Sequence, residues 1–175
     1  GAAALEPLPC LLRTGADSRG RLGALSVVTQ LCDTSAHFAS DPAIRESDAA
    51  LRSLVGSAAT GTASAADSLA AAVASPLEEV RGATLKVFAA LAALEWGAAE
   101  VGRSEGVLEL LLYATPATLT PDEMRLKHLV ASRLVHCEAV AAQLGEGTLR
   151  RLQELVERGP FTPQQRSGVT ASTHA

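Results

Sequence analysis

Along most of the 175-residue chain, apolar residues recur every three or four positions and are set apart by glycine, proline and short polar runs. That is the period at which an α-helix buries one face. Leu22, Leu25, Val28 or Thr29, and Cys32 mark such a face within a helix predicted over Arg19 to Asp33. Asp41 as cap and Pro42 as first residue predict the next, through Ile44, Leu51, Leu54 and Val55 to Gly56. Residues 7–14 predict the closing helix of an earlier unit, stopped by Gly15, and the chain opens on apolar residues without a Met, as a piece of something longer would. The small, polar stretch 56–66 predicts a loop. Asp67 to Ala74 predicts a short alanine-rich helix with little area to bury, hence the least securely packed element.

From Ser75 onward the pattern repeats. Ser75-Pro76-Leu77-Glu78 is answered by Thr120-Pro121-Asp122-Glu123, and Glu105-Gly106-Val107-Leu108 by Glu146-Gly147-Thr148-Leu149, in the same order and at a spacing in the forties. A serine or threonine followed by Pro, with Glu at the third helical position, predicts a capping box at both Ser75 and Thr120, with Leu119 and Met124 as a staple at the second. After Ser75, Leu77, Val80, Thr84, Val87, Leu91 and Leu94 form one apolar stripe and Leu85, Phe88 and Ala92 a second, so this helix lies between two neighbours, bending at Gly82. Trp96 begins a short connector and Glu105 to Ala114 a third helix. In the next unit Leu126, Leu129, Val130 and Leu134 supply the stripe, residues 136–144 the connector, and Glu146 to Arg158 a closing helix with Leu149, Leu152, Leu155 and Val156 inward. Helix starts recurring at this period predict an all-α, armadillo/HEAT-like α-α superhelix. It occupies residues 1–158 as three to four units, the first incomplete, followed by a flexible tail over 159–175.

Composition narrows the function. Aromatic residues make up 3% of the chain against 47% hydrophobic, which suits close helix packing rather than sheet. A net charge of −4 leaves no basic footprint for nucleic acid or an anionic membrane, and Lys86 interrupts the best apolar run. Cys10, Cys32 and Cys137 are odd in number and far apart, as reduced core thiols would be. A soluble intracellular protein is expected.

Catalytic signals are weak. His128, His136 and Cys137 share one region, but adjacent helical residues diverge by about 100° and no CxxC or HExxH spacing accompanies them. Gly56 and Gly61 have phosphate-loop spacing, yet Thr62 stands where lysine is needed. No enzyme activity, cofactor, metal or small-molecule substrate is expected. Trp96 reads as a wedge between units rather than an exposed anchor. The partner-binding candidates lie on the third helices: Glu105, Glu109 and Tyr113 in one unit, and Arg150, Arg151, Glu154 and Glu157 in the next, on the face away from Leu149 and Leu152. In three-helix repeats that face lines the concave side.

The runs PLEEVRGATLKVFAALAALEWGAAEV and GVLELLL, then LVASRL and EAVAAQL, and the ending LRRLQELVERGPF complete the picture. With TLKVF, Trp96 and Gly159-Pro160-Phe161 in this order, residues 75–161 resemble the C-terminal part of the proteasome non-ATPase regulatory subunit 5 family. The resemblance implies a non-enzymatic, C-shaped helical-repeat chaperone that binds C-terminal domains of ATPase subunits of the proteasome base during regulatory-particle assembly. Its compartment would be the cytoplasm, extending to the nucleus. The alternative is a general armadillo-type interaction module with another partner; one that grips a peptide through an asparagine ladder is disfavoured, because the chain has no Asn.

Overall fold

Helical periodicity translates directly into architecture in the computed structural model, which describes residues 11–12, 17–38, 42–57, 64–113 and 119–161, with backbone only for 42–47. Among the described residues there is no strand. The helices are α1 (Ser18–His37), α2 (Pro42–Gly56), α3 (Ala65–Ala70), α4 (Glu78–Leu91), α5 (Glu95–Arg103), α6 (Glu105–Leu112), α7 (Pro121–His136), α8 (Glu138–Ala141) and α9 (Glu146–Arg158), with a 3₁₀ turn over Ala71–Ala74 after α3. Helices of successive units pack on one another: α4 lies between α1 and α7, α6 between α3 and α9, and α5 against α8, while α2 packs on α1. This is the expected all-α, solenoid-like fold, in which a unit closes its core only by meeting its neighbour.

The helix starts follow local chemistry. Side chains of Asp17, Ser64, Ser104 and Thr120 accept the free amides of Gly20, Asp67, Val107 and Glu123. At Thr120 the box is complete, because Glu123 Oε2 also accepts the Thr120 amide at 2.7 Å. At α9's far end Gly159 turns the chain with φ +81°, a conformation available to glycine at little cost.

Several expectations are corrected. α3 begins at Ala65 rather than Asp67, because Ser64 takes the cap. It is not loosely packed: Ala65, Ala66, Leu69, Ala72 and Val73 are all buried, since small side chains let the backbone come close. Ser75 forms no capping box. The chain is extended before α4, Leu77 is the cap residue without a side-chain bond, and the Ser75 hydroxyl accepts only the Leu77 amide. Leu77 itself is exposed. No break occurs at Gly82: α4 runs through it, and a Cβ placed there would meet nothing within 4 Å. The close approach lies instead at Gly97, where a Cβ would fall 2.3 Å from the Leu91 carbonyl oxygen, and at Gly102, packed on Val140. On α7 the buried face is Glu123, Lys127, Val130, Ala131 and Leu134, which turns Leu129 outward and leaves Leu126 half-buried. Of the inward leucines expected on α9 only Leu152 is fully buried, because α9 has α7 and α6 on one side alone. α1 continues to His37, and α6 ends at Leu112. The helix predicted over 7–14 is described only at Leu11 and Leu12, and the Asp41 cap, Cys10 and most of the predicted tail lie outside the described residues.

A buried ion pair crosses the core between units. Arg81 Nε of α4 meets Glu123 Oε1 of α7 at 3.1 Å, with both side chains under a tenth exposed. Arg81 Nη1 also donates to the carbonyls of Ser75 and Pro76, each at 3.1 Å. Glu123 thus caps its own helix with one oxygen and neutralises the preceding unit with the other.

Removing half of that pair strands a buried charge. Glu123→Ala should therefore cost about 3–5 kcal/mol in urea melts, while the apolar pair Arg81→Met with Glu123→Leu should recover much of the loss. The two glycines should respond oppositely in the same melts. Gly82→Ala is expected to stabilise by about 0.5–1 kcal/mol, and Gly97→Ala to destabilise because its methyl meets backbone.

Candidate partner-binding surface

The third helices form a row, and a shared carboxylate joins its first two members. Asp67 of α3 accepts the Ser104 hydroxyl and, at 3.1 Å, the Gly106 amide at the start of α6, while its other oxygen takes the Ser64 hydroxyl at 2.8 Å. Desolvation pushes this carboxyl up, but the bonds from Ser104, Ser64 and the Gly106 amide outweigh it and hold it below the usual range. The row is therefore locked in register before any exposed residue is placed on it.

On that row the structure joins residues from both candidate groups. Tyr113, just past the end of α6 and 62% exposed, receives a hydrogen bond on its hydroxyl from Arg151 of α9. The Arg151 guanidinium also lies 5.6 Å from the Tyr113 ring centre, within cation–π range. Along α9, Glu154 takes Arg158 at 2.9 Å and faces Arg150 at 3.9 Å. Glu105 and Glu109 stand exposed on α6, and Glu157 on α9. Among the described residues no hydrogen bond ties these three carboxylates to the Tyr113–Arg151 pair. The arrangement offers an aromatic ring, a guanidinium and flanking carboxylates, the side-chain types from which protein interfaces draw their anchors.

A second feature lies between α5 and α2. Trp96, at the start of α5, reaches back to α2, where its indole N–H donates to Asp48 Oδ2 at 3.2 Å and Arg52 sits 5.2 Å over the ring. It is a wedge between units, as expected, but a half-buried one, and it walls a cavity of about 760 Å³ together with Arg52, Glu100 and Arg103. Sequence reasoning missed Asp48 and Arg52. No local signal pairs residues 48 positions apart; only the stacking of α5 on the preceding unit does so.

The residues considered for chemistry are separately engaged. His128 Nε2 lies 3.1 Å from the Val156 carbonyl, His136 Nδ1 lies 2.7 Å from the Ser132 carbonyl, and Cys137 is half-buried beside a smaller hollow shared with His136 and Arg133. Among the described residues no three His, Cys, Asp or Glu side chains come together as a metal site would require. No helix among them is long and apolar enough to cross a membrane.

Two comparisons find nothing: no curated protein and no solved structure matches the chain. A family model does match. It describes the proteasome non-ATPase 26S subunit and covers residues 59–174, which takes in α3 through α9 and hence the whole α6–α9 surface.

Two buried groups near the repeat core set a pH response. Burial pushes the Lys127 ammonium from 10.5 down to about 8, so above pH 8 the unfolded chain holds a proton that the folded chain has released, and stability climbs. Burial, and then Asp33 and Asp48, push the Cys32 thiol from 9.0 up to about 12, so above pH 9 the folded chain keeps a proton that the unfolded chain loses, and stability declines. The melting temperature should therefore rise from pH 8 to 9 and level off or fall beyond, and Lys127→Met should abolish the rise. A wild-type melting temperature that falls between pH 8 and 9 would contradict this assignment.

Proposed function

Because this chain belongs to the family of the proteasome non-ATPase 26S subunit, we propose that it is a non-catalytic protein that binds components of the proteasome and helps the regulatory particle assemble. The family match carries the reading. The partner class follows from the resemblance of residues 75–161 to the regulatory subunit 5 family: ATPase subunits of the proteasome base, met through their C-terminal domains, in the cytoplasm and nucleus. The repeat region would act as one stack, with the tail beyond Gly159 outside it. Two features of the molecule support a binding role over a catalytic one. The helices stack in rows that present side chains of successive units on a common surface, and the most exposed aromatic, Tyr113, is held by an arginine from the next unit. An aromatic–arginine pair of this kind is a typical energetic centre of an interface.

The reading is tested with purified base ATPase subunits and the full chain. Wild type should retain at least one of them, and Tyr113→Ala with Arg151→Ala should weaken that binding about 30-fold, the equivalent of losing one strong hot spot. The melting temperature should hardly move, since the pair is exposed. If no ATPase subunit is retained by the wild type, the proposal fails.

A further inference from the structure

Successive units place a buried arginine at the same position of their first helix. Arg21 is the fourth residue of α1 and Arg81 the fourth of α4, and they are 8% and 7% exposed. Their surroundings differ in one respect. Arg81 meets Glu123, the third residue of α7. α1 packs on α4 and α4 on α7, so in the repeat the position equivalent to Glu123 is the third residue of α4, and that residue is Val80, 3% exposed. Where the unit after Arg81 carries a carboxylate, the unit after Arg21 carries a valine at the equivalent position.

The consequence is visible in the hydrogen bonds. Arg21 Nε and Nη2 are buried, and no acceptor among the described residues reaches them. Glu78 and Glu79, in the first turn of α4, are exposed and form no bond to these two nitrogens. Desolvation alone lowers the guanidinium pKa, yet arginine does not give up its proton at ordinary pH. A buried cation left without a counter-charge costs the fold stability, whereas the same cation meeting a carboxylate in a dry setting forms a strong, directional pair.

We propose that Arg21 is a receiving site for a carboxylate, supplied by an acidic side chain of the bound protein partner at the junction of α1 and α4. Two nearby features fit an acidic segment with an apolar neighbour. The start of α4 has no side-chain cap, so its free amides and dipole favour negative charge. Leu77 beside it is 49% exposed and offers an apolar contact. The identity of the partner rests on the proteasome reading above; the acceptance of a carboxylate rests on Arg21 alone.

Thermal melts of wild type, Arg21→Met and Val80→Glu in acetate and in chloride at equal ionic strength test the site, and binding to the purified base ATPase subunits tests the source. In chloride, Arg21→Met should melt higher than wild type by roughly 2–4 °C, because it removes an unpaired buried charge. Acetate should raise the wild-type melting temperature and leave Arg21→Met unmoved. Val80→Glu, which carries its own carboxylate to the place Glu123 holds for Arg81, should stay folded and ignore acetate. Both variants should bind the ATPase subunits roughly 30-fold more weakly. Arg21→Met melting below wild type in chloride would mean that the guanidinium is already paired within the chain, and would overturn the proposal. An equal acetate response in wild type and Arg21→Met would overturn it as well. An acetate response confined to wild type, combined with undiminished ATPase binding by Arg21→Met, would remove the partner as the source. If wild type binds no ATPase subunit, the proteasome reading fails, and the acetate comparison separately decides whether Arg21 accepts a carboxylate.

Discussion

A single carboxylate governs how α4 and α7, the first helices of two successive units, meet. Glu123 closes the capping box of α7 through the Thr120 amide and neutralises Arg81 of α4, whose guanidinium in turn holds the carbonyls of Ser75 and Pro76. Helix start, unit-to-unit register and the extended entry into α4 are therefore settled by one connected group of side chains. A buried ion pair adds little net stability over an apolar pair of equal size, but it penalises any register that separates its members. That constraint matters here because much of the junction is aliphatic, with Arg133 of α7 donating to the Ala89 carbonyl of α4 as a second polar link. Val80, Thr84, Val87, Val130 and Leu134 could slide past one another with modest loss, whereas Arg81 and Glu123 could not.

The other junctions rely on shape and short hydrogen-bonded links. Gly97 and Gly102 have no side chain where Leu91 and Val140 come close, so α5 can settle into the α4 turn and onto α8. Alanines do the same for α3 and its 3₁₀ turn. Asp67 then ties α3 to the start of α6. The result is a row in which the third helices sit in fixed register, which is what allows Tyr113 on one unit and Arg151 on the next to share a surface. Side chains pre-placed on separate helices in this way would lose less entropy when a partner arrives.

Most helices were legible from periodicity and caps, and the boundaries of α9 and the capping box at Thr120 were read from single residues. Misreadings cluster where a local signal competed with a distant one. Ser75 has the form of a cap, but Arg81 takes the carbonyls around it and the chain stays extended. Gly82 looks like a hinge, but it sits on an open face of a helix held on both sides. Lys127 lies buried on α7, outside the expected stripe of Leu126, Leu129, Val130 and Leu134, because the α7 face is set by where α4 and α9 are, not by polarity alone. At the surface, the exposed character of Arg150, Arg151, Glu154 and Glu157 was readable from their position opposite the α9 stripe. The contact between Arg151 and Tyr113, 38 positions apart, was not.

The sequence by itself determined the helical class, the repeat period and the faces that must be covered, since these depend on propensity, capping and a 3.6-residue period within reach of each residue. Its specific runs also pointed to the proteasome-related family. Only the tertiary structure decided which charges are matched. Arg21 and Arg81 are indistinguishable as residues in similar helices, yet Arg81 meets Glu123 while two buried nitrogens of Arg21 meet no acceptor among the described residues, because a charge is satisfied by whatever the neighbouring unit places within about 3 Å of it. That distance is a property of packing between segments dozens of residues apart, and it is set only when the stack closes.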